Sequence, residues 1–308
     1  MRIVSLLPSA TEIVCALGLA EELVGVTHEC DFPPEALETA VVTYAVQDPE
    51  RAASHALHRL VEGSAQAGTS NRALDEDALL AARPDLILTS TLCRDCALGY
   101  RGISELAERL EGEVSVVSLD PTSVEGILNA IQTVGAMTEA EDAAIEVVEG
   151  LRERLRAVEE IVVGRRDHGF APPRLVAIGW LEPPHAVGGW IPEQVRLAGG
   201  WELLGREGGP PAETTWDAVR EMDPEIVVLM PFGRHLPDTI RAWEAMPRPA
   251  GWDALRAVGE GRVYAVDGSA CFSRPGPRVV DGIEVLAELV DPLAFDGIAP
   301  PGSWARVG

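Results

Sequence analysis

The sequence predicts an α/β fold of two Rossmann-like lobes, each with a central parallel sheet, joined by a long rigid helix. Three observations carry this expectation. Asp77-Ala78-Leu79 followed by Pro84-Asp85-Leu86-Ile87-Leu88 is matched 140 positions later by Asp217-Ala218-Val219 followed by Pro224-Glu225-Ile226-Val227-Val228, so one helix–Pro–acid–strand unit is written twice. The apolar runs are short and continuous, as in parallel strands buried on both faces. Residues 123–163 contain no proline and keep helical periodicity almost throughout. At 308 residues the chain exceeds what one core usually fills. The expected division is an N-terminal α/β lobe over 1–121, linking helices over 122–164, and a C-terminal α/β lobe over 165–308.

Taken in order, residues 3–7 read as a strand broken by Pro8. Ser9-Ala10-Thr11-Glu12 then opens a helix with capping-box spacing, Ser9 as cap and Glu12 three residues on. Residues 23–26 form a second strand ending in Thr27-His28-Glu29-Cys30-Asp31, before Phe32-Pro33-Pro34 stops the ladder. Residues 45–72 are polar and Ala-rich with one helical segment. Residues 86–88 form the next strand, running into Cys93 and Cys96, and 114–119 closes the first lobe. A second linking helix of about 25 residues spans roughly 37 Å, up to a boundary at 164–173. The second lobe restarts with a strand at 175–179 and a helix at 191–198. Trp201-Glu202-Leu203-Leu204-Gly205 then echoes Glu21-Glu22-Leu23-Val24-Gly25. Strands at 226–230 and 263–266 and a helix at 279–290 complete the pattern.

Composition narrows the function classes. A net charge of −24 repels a phosphate backbone, which argues against nucleic acid. There is no apolar run of about 18 residues, so no membrane span is expected. Met1-Arg2 and the apolar stretch that follows look superficially like an export signal. Pro8 and Glu12 interrupt that stretch, however, and it reads better as strand then helix, giving a cytoplasmic expectation. A monomer is expected. Five cysteines, an odd number, speak against a disulfide framework and raise metal or redox chemistry.

Four stretches carry a family resemblance. They are Ile3-Val4-Ser5-Leu6-Leu7-Pro8-Ser9-Ala10-Thr11-Glu12, Gly25-Val26-Thr27-His28-Glu29-Cys30-Asp31-Phe32-Pro33-Pro34, Arg83-Pro84-Asp85-Leu86-Ile87-Leu88 and Asp267-Gly268-Ser269-Ala270-Cys271-Phe272-Ser273-Arg274-Pro275. Together they resemble the class III substrate-binding proteins of ABC importers, in particular the cobalamin-binding branch, over residues 1–292. The resemblance implies a ligand cleft between two lobes joined by a long helix. It also implies a small-molecule ligand, cobalamin or a related corrinoid, and an ABC permease as partner if the protein is exported. Glu29 stands where that branch places a ligand-contacting aromatic. Residues 269–274 fall on its second-lobe ligand loop, with Cys271 at an aromatic position and Ser269, Phe272 and Arg274 beside it.

From the residues themselves, His28, Cys30, Cys93 and Cys96 make a His-x-Cys and a Cys-x-x-Cys at two strand ends. That set suits a tetrahedral zinc or other thiophilic metal site; its Cys-x-x-Cys is also the spacing of redox dithiols, and direct contact with the ligand is a further alternative. Trp180, Glu182, His185 and Trp190 follow the second lobe's first strand; with Phe232 and Phe272 they form a candidate aromatic wall against a planar ligand. Ser9 and the amides of the first helix add an anion-friendly corner. Cys15, Trp201, Trp216 and Trp252 read as core. The favoured function is a binding protein for a corrinoid-like or other planar ligand. The alternatives are a metal-binding protein using the His/Cys set and an enzyme with Cys93 or Cys96 as nucleophile.

Overall fold

The computed structural model describes residues 1–45, 72–91, 100–110 and 112–308. The chain divides into two compact units, Met1–Asp120 with Leu128–Glu149, and Pro121–Ile127 with Gly150–Gly308. The helical segment expected within 45–72 and the pair Cys93 and Cys96 lie outside the described residues.

In the first unit, β1 (Ile3–Ser5) leads into α1 (Pro8–Ala16), then β2 (Leu23–Gly25), β3 (Thr43–Ala45), β4 (Arg72–Leu74), α2 (Glu76–Ala82), β5 (Leu86–Thr89), α3 (Tyr100–Ala107) and β6 (Ser115–Ser118). The sheet order is β2-β1-β5-β6, all parallel. β3 and β4 form a separate antiparallel pair. Val4, Leu6, Leu79, Ile87, Ile103 and Leu106 fill the core beneath the sheet.

α4 (Val124–Met137) and α5 (Glu141–Asp167) are each shared between the units. At 27 residues α5 is about 40 Å long. It runs through Gly164, where the sequence reading placed the boundary, and stops at Gly169. There the backbone adopts φ +87°, Phe170 N–H donates to Arg165 O, and Gly169 N–H donates to Arg166 O. This is a Schellman stop, and it needs a residue that tolerates the left-handed region. A glycine inside a helix costs only about 1 kcal/mol, which an established helix absorbs.

The second unit continues with β7 (Arg174–Leu181), β8 (Pro184–Ala186), α6 (Ile191–Leu197), β9 (Trp201–Glu202), β10 (Ala212–Glu213), α7 (Trp216–Met222), β11 (Ile226–Leu229), α8 (Leu236–Ala245), α9 (Arg256–Gly259), β12 (Val263–Val266), α10 (Gly268–Cys271), α11 (Val279–Val290) and β13 (Trp304–Arg306). Its seven-stranded sheet is mixed: β9, β7, β11 and β12 are parallel neighbours, while β8, β10 and β13 pair antiparallel at the flanks. The parallel orders β2-β1-β5-β6 and β9-β7-β11-β12 are the same arrangement.

The repeat extends to its wiring. Asp75 caps α2 by accepting from Ala78 N–H, and Thr215 caps α7 by accepting from Ala218 N–H. Both helices end on a left-handed residue, Arg83 and Asp223. The acid after each proline accepts the backbone N–H of an arginine at the start of the unit's first strand, Arg2 just before β1 and Arg174 as the first residue of β7: Asp85 from Arg2, and Glu225 from Arg174, each at 2.8 Å. The same arginine side chain donates to the last carbonyl of the preceding helix, Ala82 O or Met222 O.

Three local expectations are corrected. α1 has Leu7 as N-cap and Pro8 at N1, so Ser9 sits inside the first turn and the Ser9/Glu12 capping box does not form. Proline's fixed φ and missing N–H pre-empt the start. Trp201 is 60% exposed, on a two-residue strand beside β7's first residues, whereas Trp216, Trp243 and Trp252 pack into one cluster with centroids 4.7–5.9 Å apart. Cys15 is only half-buried, although burial first, then Glu35 and Glu12, raises its thiol to about 11 and keeps it protonated.

Candidate functional site

In the second unit β7, β11 and β12 run in register, so their carboxyl ends share one edge of the sheet. In sheets of this topology that edge is where ligands bind. β7 turns into β8 with Trp180 opposite His185, whose Nδ1 lies 3.0 Å from Pro183 O, and Glu182 is exposed in the turn. After β11, Phe232 N–H donates to Gly179 O at 2.9 Å, fastening this loop to the end of β7. Phe232 itself is 45% exposed.

After β12, Asp267 caps α10 through Ala270 N–H at 2.7 Å, and its other oxygen lies 3.0 Å from His235 Nδ1. Burial pushes Asp267 upward, but the bonds from His235 and Ala270, with His235 and Arg278 nearby, outweigh it and hold the carboxyl below its ordinary range. Ser269 N–H donates to Arg234 O, and Ser273 Oγ both accepts from Gly233 N–H and donates to Gly268 O. A side chain on Gly268 would sit 2.4 Å from Pro231 O. The three loops thus form one hydrogen-bonded plate.

Of the expected binding residues, Phe232 and Glu182 are exposed on these loops and Trp180 and His185 are half-buried. Ser269, Cys271 and Arg274 are buried, Arg274 at 8% exposure. Phe272 is 1% exposed and packs into the core, so it presents no face to solvent here. Trp190 lies beyond β8 at the N-cap of α6, and its buried Nε1–H has no acceptor among the described residues. Sequence reasoning missed Asp267, His235 and Ser273 as the plate's fasteners. The Asp-x-x-Ala spacing after an apolar strand was the available signal for Asp267.

In the first unit Ser9 is buried near the end of β1. Beyond β2, His28 engages Thr43 Oγ1 through both its N–H (3.0 Å) and Nδ1 (2.7 Å). Glu29 N–H donates to Thr27 Oγ1, and Cys30 Sγ lies 3.1 Å from Thr11 Oγ1. His28 therefore meets β3 while Cys30 meets α1. Among the described residues no group of three or more His, Cys, Asp or Glu side chains could hold a metal ion, and zinc finds no support. Beyond β6, Asp120 accepts from Ser90 Oγ, Thr91 N–H, Thr91 Oγ1 and Ser118 Oγ at 2.6–2.8 Å. Burial raises this carboxyl too, and the bonds from Ser90, Ser118 and Thr91 bring it below its usual value.

The chain is 24% identical to an uncharacterized ABC transporter substrate-binding lipoprotein of Bacillus subtilis, covering 96% of this chain and 81% of the relative. It is 23% identical to the vitamin B12-binding protein of Vibrio cholerae over 92% of this chain and 86% of that one. Among solved structures, a periplasmic heme-binding protein from Pseudomonas aeruginosa superposes with a TM-score of 0.70 at 20% identity, covering 95% of this chain and 93% of that one. The periplasmic vitamin B12-binding protein of Vibrio cholerae gives 0.68 at 20% identity, with 96% and 98% covered. The fold is that of the class III substrate-binding proteins. Residues 3–270 match the family described as periplasmic binding protein, and the chain belongs to that family.

Proposed function

We propose that this substrate-binding protein takes a planar macrocycle of the corrinoid or tetrapyrrole type and delivers it to an ABC permease. The observation that carries the reading is the plate at the carboxyl ends of β7, β11 and β12, which holds Phe232 exposed and Trp180 and His185 half-buried on fixed backbone. Rigid aromatic faces give a flat ligand large contact area at small entropic cost. Of the relatives and structural neighbours named above, those from Vibrio cholerae are vitamin B12-binding and that from Pseudomonas aeruginosa is heme-binding, ligands of that shape. Titration with cyanocobalamin and with hemin, followed by calorimetry and tryptophan fluorescence, tests it. One of them is expected to bind at micromolar Kd or tighter, and Phe232→Ala to weaken that binding about tenfold, or about 1.4 kcal/mol. No binding of either compound would overturn the reading.

A further inference from the structure

The segment 272–278 carries Ser273 and Arg274, and both of its ends are held by one side chain. Gln194, in the middle of the short helix α6, is fully buried; its Nε2 donates to Cys271 O at 3.3 Å and to Val279 O at 2.9 Å. Two departures from local rules coincide at this contact. Gln194 Oε1 is buried and finds no donor among the described residues. Gly282 stands inside α11, where a helix disfavours glycine; a Cβ there would fall 2.5 Å from Gln194 Nε2, 2.6 Å from Cys271 O and 3.2 Å from the Phe272 ring. The fold thus accepts an orphaned acceptor and a helix-weakening glycine to seat one amide against two carbonyls. Features that cost stability and recur together at one spot point to function rather than to packing. Between the two carbonyls the segment holds Pro275 and Pro277, which donate no backbone hydrogen bond, so the staple adds to the few backbone bonds there, such as Gly276 N–H to Arg274 O.

We infer that Gln194 is a positioning residue: it staples both ends of 272–278 and so presets Ser273 and Arg274 for the ligand. This rests on the reading that the plate is the ligand site. A loop held in its bound conformation spends less of the interaction on ordering itself, which appears as affinity.

Gln194→Met keeps length and apolar volume while removing both donors and the orphaned acceptor. Amide hydrogen exchange of the free protein is expected to accelerate at least tenfold across 272–279, with α6 and the rest of α11 unchanged. Kd for whichever of cyanocobalamin and hemin the wild type binds is expected to rise about tenfold, and bound ligand to restore the lost protection. Unchanged exchange across 272–279 would overturn the inference. So would faster exchange spread through α6 and α11 with a large fall in Tm, which marks Gln194 as ordinary structural support, and so would a faster loop with unaltered Kd. If the wild type binds neither compound, the ligand reading fails, and the exchange result alone still decides whether Gln194 positions the segment.

Discussion

Replacing Glu202 by glutamine tests a buried acid that supports the edge of the second sheet. β7 is paired by β9 at Arg174 and Leu175 and by β8 from Ile178 onward. At the break, Ala177 N–H donates to Glu202 Oε2, while Glu202 Oε1 accepts from Leu204 and Gly205 N–H, each at 2.9 Å. Burial raises this carboxyl from 4.5 to about 7, outweighing the amides of Gly205, Leu204, Ala177 and Leu203. A folded-state value above the unfolded one means that the native state holds the proton longer. The contribution is complete below about pH 4.5 and is lost as pH climbs through 7. At 1.36 kcal/mol per unit the loss is about 3 kcal/mol, nearer 2–3 because the residue keeps some surface. The amide introduced by Glu202→Gln cannot ionise but aims its NH2 at the Ala177 donor, costing about 1 kcal/mol at every pH. In urea unfolding at pH 5, 6, 7 and 8, the wild type is expected to be the more stable at pH 5. That gap, about 1 kcal/mol at most, should reverse by pH 8, moving by about 2–3 kcal/mol, or on the order of 5–10 °C in Tm. A wild type and E202Q separated by a constant gap from pH 5 to pH 8 would refute the argument.

The helix caps at equivalent places in the repeat give two further expectations: Asp75→Ala and Thr215→Ala should each lower the stability of their own unit by about 1 kcal/mol, measured by denaturant unfolding. Arg154, on α5, holds Glu284 through two bonds at 2.9 and 2.6 Å and Asp281 at 2.6 Å. Arg154→Ala leaves Glu284 buried without that partner and should cost about 2–3 kcal/mol; adding Glu284→Gln should return part of it, in a double-mutant cycle read by thermal unfolding.

What was legible in the sequence was whatever a local pattern dictates. The apolar runs at 86–88, 226–230 and 263–266 are strands because nothing else buries so short a run, and Pro-acid dipeptides mark where the first two begin. The antiparallel flanks were not legible. β8 and β10 are three and two residues long, too short for any period to show, and both residues of β10 are exposed. β13 is a strand because β12 offers it an edge, a fact of tertiary contact. The site divides the same way. Phe232 and the 269–274 loop could be named from residue type and position after a strand, but the partners that fix them, Ser273 on Gly233 and Gln194 on Val279, lie 40 and 85 residues apart. No spacing rule reaches that far.

The two units solve one problem with different residues, and this bears on the pH experiment. In each, an aspartate just beyond the last parallel strand ties down the loop beyond its neighbour: Asp120 holds Ser90 and Thr91 after β5, and Asp267 holds His235 after β11. Both carboxyls are held below their ordinary value. For a depressed carboxyl the stabilisation is present above the unfolded value and is lost only as pH falls through the lower folded one. Neither aspartate therefore changes charge between pH 5 and pH 8. Glu202 does change charge there. A pH dependence of the second unit that E202Q removes is accordingly assigned to the β7 edge and not to either aspartate.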